Sequence, residues 1–377
     1  LKKIIIVLIL SSFLLISCNS EQQLTSEIKP MAININRNIK VIVDPRVELL
    51  TTIQYLANYP RLSLLNSDYK TDIDNYFKNY KNHKAVNQFK KLSKEGFQYE
   101  VPIEYILNCS ALPNLETSKN IKYSSKQLQV GIKSLNEFRE NVKAFYLETN
   151  FINFYAEHKN LYERILSNYT KSNEIEGYIT SLENYYGKSQ KSYNIILSPL
   201  IHSGGYGPRL NKENGRYDVY QVTGPIITQK IYEEYDKDIE KLKDINDISR
   251  LFELNKGVML HEFSHSYINP LGEKYSKSIK KYEPNNNVYL EYFPNSYKQW
   301  PNIVNEYIVR AITARILLLE GETKEYKETI NNDKRSGFKY IEKLIEKLKE
   351  YENNRDKYKQ IEDFYPELLD ELVKQYI

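Results

Sequence analysis

His261-Glu262-Phe263-Ser264-His265 is the stretch of this chain whose residue types and spacing could do chemistry. Four residues apart on a helix, two histidines share one face, and two imidazoles so placed can hold one zinc ion. The glutamate after the first histidine then reaches a metal-bound water and can take its proton. The flanking residues predict a buried helix. Leu254, Val258, His261, His265 and Ile268 follow helical spacing, and Met259, Phe263 and Tyr267 form a second apolar face. Pro270 is expected to end it. The bland reading of the same residues is a pair of satisfied core histidines beside a surface glutamate. With five histidines in 377 residues, chance rarely produces this motif.

A hydrolytic zinc site has three protein ligands and an open fourth position. Ile268 and Leu271 stand where a metzincin would have glycine and histidine, so that class is excluded. The other common solution is a glutamate from a later helix. Glu306, within Asn305-Glu306-Tyr307-Ile308-Val309-Arg310-Ala311, is flanked by Ile303, Val304, Ile308 and Val309. A carboxylate in that setting is paired or metal-bound. Arg310 offers the rival, a simple ion pair one turn away. Glu273, Glu291 and, less readily, His202 are substitute ligands.

These residues resemble the gluzincin metallopeptidases, whose pattern is His-Glu-x-x-His followed by Asn-Glu-x-x-x-Asp. His261, Glu262, His265, Asn305 and Glu306 match it, and Arg310 departs from it. The family's aspartate accepts the second proton of the first zinc histidine, which arginine cannot do. The resemblance implies a Zn²⁺ peptidase with His261, His265 and Glu306 as ligands and Glu262 as general base. Tyr292, Tyr297 and His202 are the candidate transition-state stabilisers. A second resemblance is to a bacterial domain-of-unknown-function family carrying Val43–Leu50, Leu197–Leu200, Gly204–Gly207 and His261–Ser266. It is expected to cover about residues 39–320 and to leave the tail outside.

Positioning such a site requires a core, and 41% hydrophobic with 13% aromatic residues suffices for one. The formal charge is +4, without a basic patch interleaved with aromatics, so nucleic acid is not an expected partner. Lys2 and Lys3, an apolar run to Ile16, and Leu15-Ile16-Ser17-Cys18 resemble a bacterial lipoprotein signal. That resemblance implies a signal peptide over 1–17, lipid on Cys18, and a place in the bacterial cell envelope. Cys109 would then be the one remaining thiol, a buried filler.

Residues 18–38 read as a polar tether and 39–190 as a helical region. Within it lie a strand at Ile39–Val43, an Asp44-Pro45 helix start, helices over 69–94 stopped by Gly96, and a long helical stretch over 135–186. His83, among charged neighbours, is expected to be solvated, and His158 to lie on a helix face. Residues 191–321 form the zincin-like catalytic region. Its apolar strand near 193–200 is expected to pair as a hairpin with 216–223. Between them, Gly204, Gly205 and Tyr206 are either an ordinary turn or a loop that lets a substrate approach beside an edge strand. A charged helical stretch over 231–247 precedes the metal helix, and a polar loop over 273–299 follows it. Pro301 then opens a helix that Gly321 closes, and 322–377 is an amphipathic helical tail.

The expected architecture is α+β, mainly helical and zincin-like, with a small sheet over the metal helix and a helical C-terminal appendage. The expected function is a membrane-anchored zinc metallopeptidase acting on a peptide or protein. Its rivals are a non-catalytic, zinc-stabilised lipoprotein that binds a peptide or glycan, and a metal-free helical scaffold.

Overall fold

Helix starts along the chain follow local chemistry. Asp44 accepts from the Arg46 N–H and Pro45 occupies the first turn, so helix α1 runs Pro45–Leu56. The computed structural model describes residues 27–376 except 119–120, 228, 235–246, 285–292 and 294–298. The leader, Cys18, Glu291, Tyr292, Tyr297 and most of the 231–247 stretch therefore lie outside the described residues.

Strands β1 (Met31–Asn34) and β2 (Ile39–Val43) precede α1. Then come α2 (Asp68–Tyr76), α3 (Lys84–Lys94), α4 (Glu100–Leu107), α5 (Ser125–Val130) and α6 (Ile132–Glu148). They are followed by α7 (Phe151–Glu157), α8 (Lys159–Thr170) and α9 (Ile175–Tyr186). Strands β3 (Ser192–Leu197), β4 (Arg209–Glu213) and β5 (Arg216–Thr223) come next, with α10 (Gln229–Glu234). The C-terminal part holds α11 (Lys256–Lys274), α12 (Ser276–Lys281), α13 (Trp300–Leu319), α14 (Thr323–Arg335), α15 (Ile341–Asn353) and α16 (Ile361–Lys374). The chain is α+β and mainly helical, as expected.

The sheet has the order β1-β2-β3-β5-β4. The inner strands run parallel, with Val41 opposite Ile195 and Ile195 opposite Gln221. Both outer strands are antiparallel to their neighbours. Two expectations fail here. Residues 31–34 are a strand and not tether, because alternating partly buried side chains suffice at a sheet edge. Strand β5 is an inner strand lying parallel to β3, so these two form no hairpin. The hairpin joins β4 to β5 through Asn214-Gly215, whose φ values of 50° and 77° are those of a tight primed turn.

The predicted helix over 135–186 breaks into α6 to α9, turned at Asn150 (φ 50°) and Asn173 (φ 57°). The His83 side chain is largely covered instead of solvated. Its Nδ1 accepts the Ala85 N–H at 3.1 Å, capping α3, and its Nε2 lies 3.3 Å from Glu148. His158 bridges helices, with Nε2 3.1 Å from Asp72. The Cys109 thiol is buried, and that burial pushes it up to about 11.

Helix α13 is the axis of the C-terminal half and is buried along most of its length. It packs against α11 on one side and against α14 and α15 on others. The tail's predicted apolar stripe, Ile341, Leu344, Ile345, Leu348 and Tyr351, is fully covered. Buried contacts of Arg315 on α13 with Glu352 on α15 (Nε to Oε1, 2.7 Å) tie tail to axis.

A candidate metal centre on two packed helices

Asn255 caps α11 by accepting the Val258 N–H at 2.9 Å. Met259, Phe263, Tyr267 and Ile268 turn into the core, whereas Val258, His261, His265 and Asn269 line a cleft. The stripe containing the histidines is thus a cleft wall. The sheet holds the helix from the other side: Tyr193 of β3 meets Phe263 edge-on at 5.2 Å, and its hydroxyl lies 2.6 Å from that of Tyr267. Pro270 does not end the helix, which continues to Lys274. Proline removes one backbone hydrogen bond, but Ile268 and Leu271 are buried on either side and hold the chain helical. At Gly272 a Cβ would fall 2.3 Å from Asn305 Oδ1, so the absent side chain is what lets α13 approach.

That approach brings the candidate ligands together. His265 Nε2 lies 3.1 Å from His261 Nε2 and 3.4 Å from Glu306 Oε1. His261 Nε2 lies 3.7 Å from Glu306 Oε2. Zinc–ligand bonds of about 2.0–2.1 Å at tetrahedral angles require ligand atoms about 3.3–3.4 Å apart. The His261–His265 separation and that from His265 to Glu306 Oε1 lie near that value, and with one atom from each residue the three groups lie within 4.8 Å of one another, so they can share a small cation. Among the described residues this is the one cluster of three ligating groups close enough to share an ion. His265 Nδ1 lies 3.3 Å from Asn269 Oδ1, a partner that would orient its Nε2 toward the site. Asn269 was not anticipated, although its place one turn after His265 is readable.

The electrostatics of the site suit a cation. Burial lowers the His261 imidazole well below its ordinary range, so it is neutral and able to ligate at neutral pH. Burial, with the neighbouring Glu306 charge, raises the Glu262 carboxyl well above its ordinary range. Glu262, Glu306 and Asp333 share the cleft wall with Arg310, a donor set in which a divalent cation offsets the excess of carboxylates.

Arg310 does bond Glu306, Nε to Oε2 at 3.1 Å, so the rival ion pair exists alongside the histidine contacts. It also bonds the buried Asp333 of α14. That residue was invisible to sequence reasoning, because its partner lies 23 positions away on another helix.

The cleft has a volume of about 2700 Å³, beyond the roughly 300–1,000 Å³ of small-molecule pockets. Gly204, Gly205, Tyr206 and His202 line it. His202 Nδ1 accepts the Gly205 N–H at 3.2 Å, and the ring lies outside the ligand cluster. Glu273 is also outside it, paired with Arg209 at 2.5 Å and 71% exposed. A further residue not anticipated is Gly207, where a Cβ would come 2.6 Å from the Glu262 carbonyl and 3.0 Å from its Oε2. The glycine loop therefore rests on Glu262. The sheet edge at the cleft is β4, which contributes Arg209 and Leu210.

A family model settles the relationship. The chain belongs to the family described as Domain of unknown function (DUF4932). The match covers residues 39–371, so it takes in the tail that was expected to lie outside. No curated protein and no solved structure matches the chain.

Proposed function

We propose that the chain is a zinc metallopeptidase of gluzincin-like plan that hydrolyses peptide bonds in the cleft over α11. The observation that carries this reading is the convergence of His261, His265 and Glu306, one ligand atom from each lying within 4.8 Å of the others, with Glu262 beside them. The layering of a small sheet over α11, with Glu306 supplied by α13, supports a zincin-like plan. Zinc held by His261, His265 and Glu306 would supply Lewis acidity and lower the pKa of a water.

Glu262 takes a proton from the attacking water and delivers it to the departing amine as the C–N bond breaks. Its burial beneath Gly207 suits that role, since a shielded carboxylate is a stronger base than a solvated one. Because His202 Nδ1 accepts from Gly205, the neutral ring carries its proton on Nε2, available to a developing oxyanion. The cleft's size and the β4 edge suit an extended peptide, which adds to an edge strand through backbone hydrogen bonds. Cys18, in its lipoprotein-like context, would tether the enzyme to a membrane; among the described residues no helix is long and apolar enough to cross one.

The test is digestion of a diverse peptide library, read by mass spectrometry, with wild type and Glu262→Gln. Cleavage by the wild type and none by a zinc-loaded Glu262→Gln is the expected result. Cleavage retained by the variant refutes the role of Glu262. A zinc-loaded wild type that binds library peptides without cutting them supports a binding protein instead.

A further inference from the structure

Glu306 has two oxygens in two different settings. Oε1 faces His265 Nε2 at 3.4 Å, whereas Oε2 accepts from Arg310 Nε at 3.1 Å and lies 3.7 Å from His261 Nε2. Arg310 is itself fixed. Its Nη1 bonds Asp333, and its guanidinium lies 4.4 Å over the Phe338 ring. Asp333 is 2% exposed, and its Oδ2 has no hydrogen-bond partner, so its charge is committed to the arginine. Both Asp333 and Phe338 come from the tail.

Resting on the metal reading above, we infer that Asp333 and Arg310 are positioning residues that hold Glu306 to one-oxygen ligation through Oε1. A carboxylate free to swing would offer both oxygens and take two coordination positions. With Oε2 held by Arg310, three protein ligands occupy three positions, and the fourth stays open, as hydrolysis requires. Asp333 has the second half of the task. A guanidinium beside a cation site repels the ion and competes for its ligand, and a carboxylate on the far side of the arginine balances that charge. Arg310 stands at the position of the family-pattern aspartate but acts on Glu306 and not on a histidine, and Asp333 makes the tail part of the site.

The experiment uses the full chain as wild type, Asp333→Asn and the double variant Arg310→Gln/Asp333→Asn. Zinc Kd is measured by competition with a chromophoric chelator, the visible spectrum is recorded after Co²⁺ substitution, and circular dichroism checks the fold. Asp333→Asn should weaken zinc about 10–100-fold, the usual effect of losing an outer partner of a metal ligand. The double variant, with the unbalanced arginine gone, should regain most of that affinity. Its Co²⁺ bands should weaken from the intense four-coordinate pattern of the wild type to a five-coordinate one, as both Glu306 oxygens bind. A merely structural role predicts no rescue and no change of coordination. An unchanged Kd in Asp333→Asn, or a double variant as weak as the single, overturns the inference while leaving zinc binding by the wild type intact. A wild type that takes no zinc overturns the metal reading itself, and this inference with it.

Discussion

Glu48 offers a prediction that is independent of any metal. Its side chain on α1 is fully buried, with Oε2 accepting from the Tyr69 hydroxyl at 2.6 Å. Tyr69 in turn meets Tyr162 at 2.9 Å. Burial raises the carboxyl from 4.5 to about 7; Ser198 and Tyr69 draw it down part of the way, and Asp44 adds to the rise. A carboxyl raised in the folded state leaves the fold most stable below the unfolded-state value and costs stability as pH climbs through the folded one. At about 1.36 kcal/mol per pH unit, the rise from 4.5 to about 7 costs about 3 kcal/mol above neutrality. Glu48→Gln keeps an acceptor for Tyr69 but cannot ionise. Urea unfolding of both proteins between about pH 4 and pH 8 should show the variant gaining about 3 kcal/mol on the wild type as pH rises. A difference that stays flat across that range refutes the assignment of a neutral, buried Glu48.

Gly207→Ala should destabilise the chain by about 1–3 kcal/mol, since the new Cβ meets backbone and not a yielding side-chain tip. Zinc content should be unchanged while cleavage drops on the order of 100-fold through displacement of Glu262; melting curves and library digestion check the two halves. Cys109 should resist thiol reagents in the folded chain at neutral pH and react on unfolding. Mass spectrometry of the peptide carrying Cys109 reads this directly, and rapid native labelling would contradict the buried setting.

Much of the candidate site was legible because its determinants are local. The i, i+4 spacing of His261 and His265 fixes their shared face, and Pro301 and Gly321 bracket the helix that presents Glu306. Asp44-Pro45 likewise marks α1 from two adjacent residues. What escaped notice depends on tertiary partners. Strand β1 is only four residues long, and only pairing with β2 makes it a strand. Pro270 stays helical because its neighbours are packed. His83 looks solvated among lysines until α6 brings Glu148 to it. Asp333 gains its meaning only when α14 folds back on Arg310. One missed feature was local after all: Asn214-Gly215 is a strong hairpin signal that identifies β4 and β5 as partners.

On the proposed reading, His261, His265 and Glu306 share a single metal ion. Elemental analysis of the purified chain, beside His265→Ala and Glu306→Ala, tests it most directly. About one zinc per wild-type chain is expected after excess metal is removed, with zinc lost or much weakened in both variants. A wild type that retains no zinc after metal is offered, or variants that retain it fully, would contradict the account.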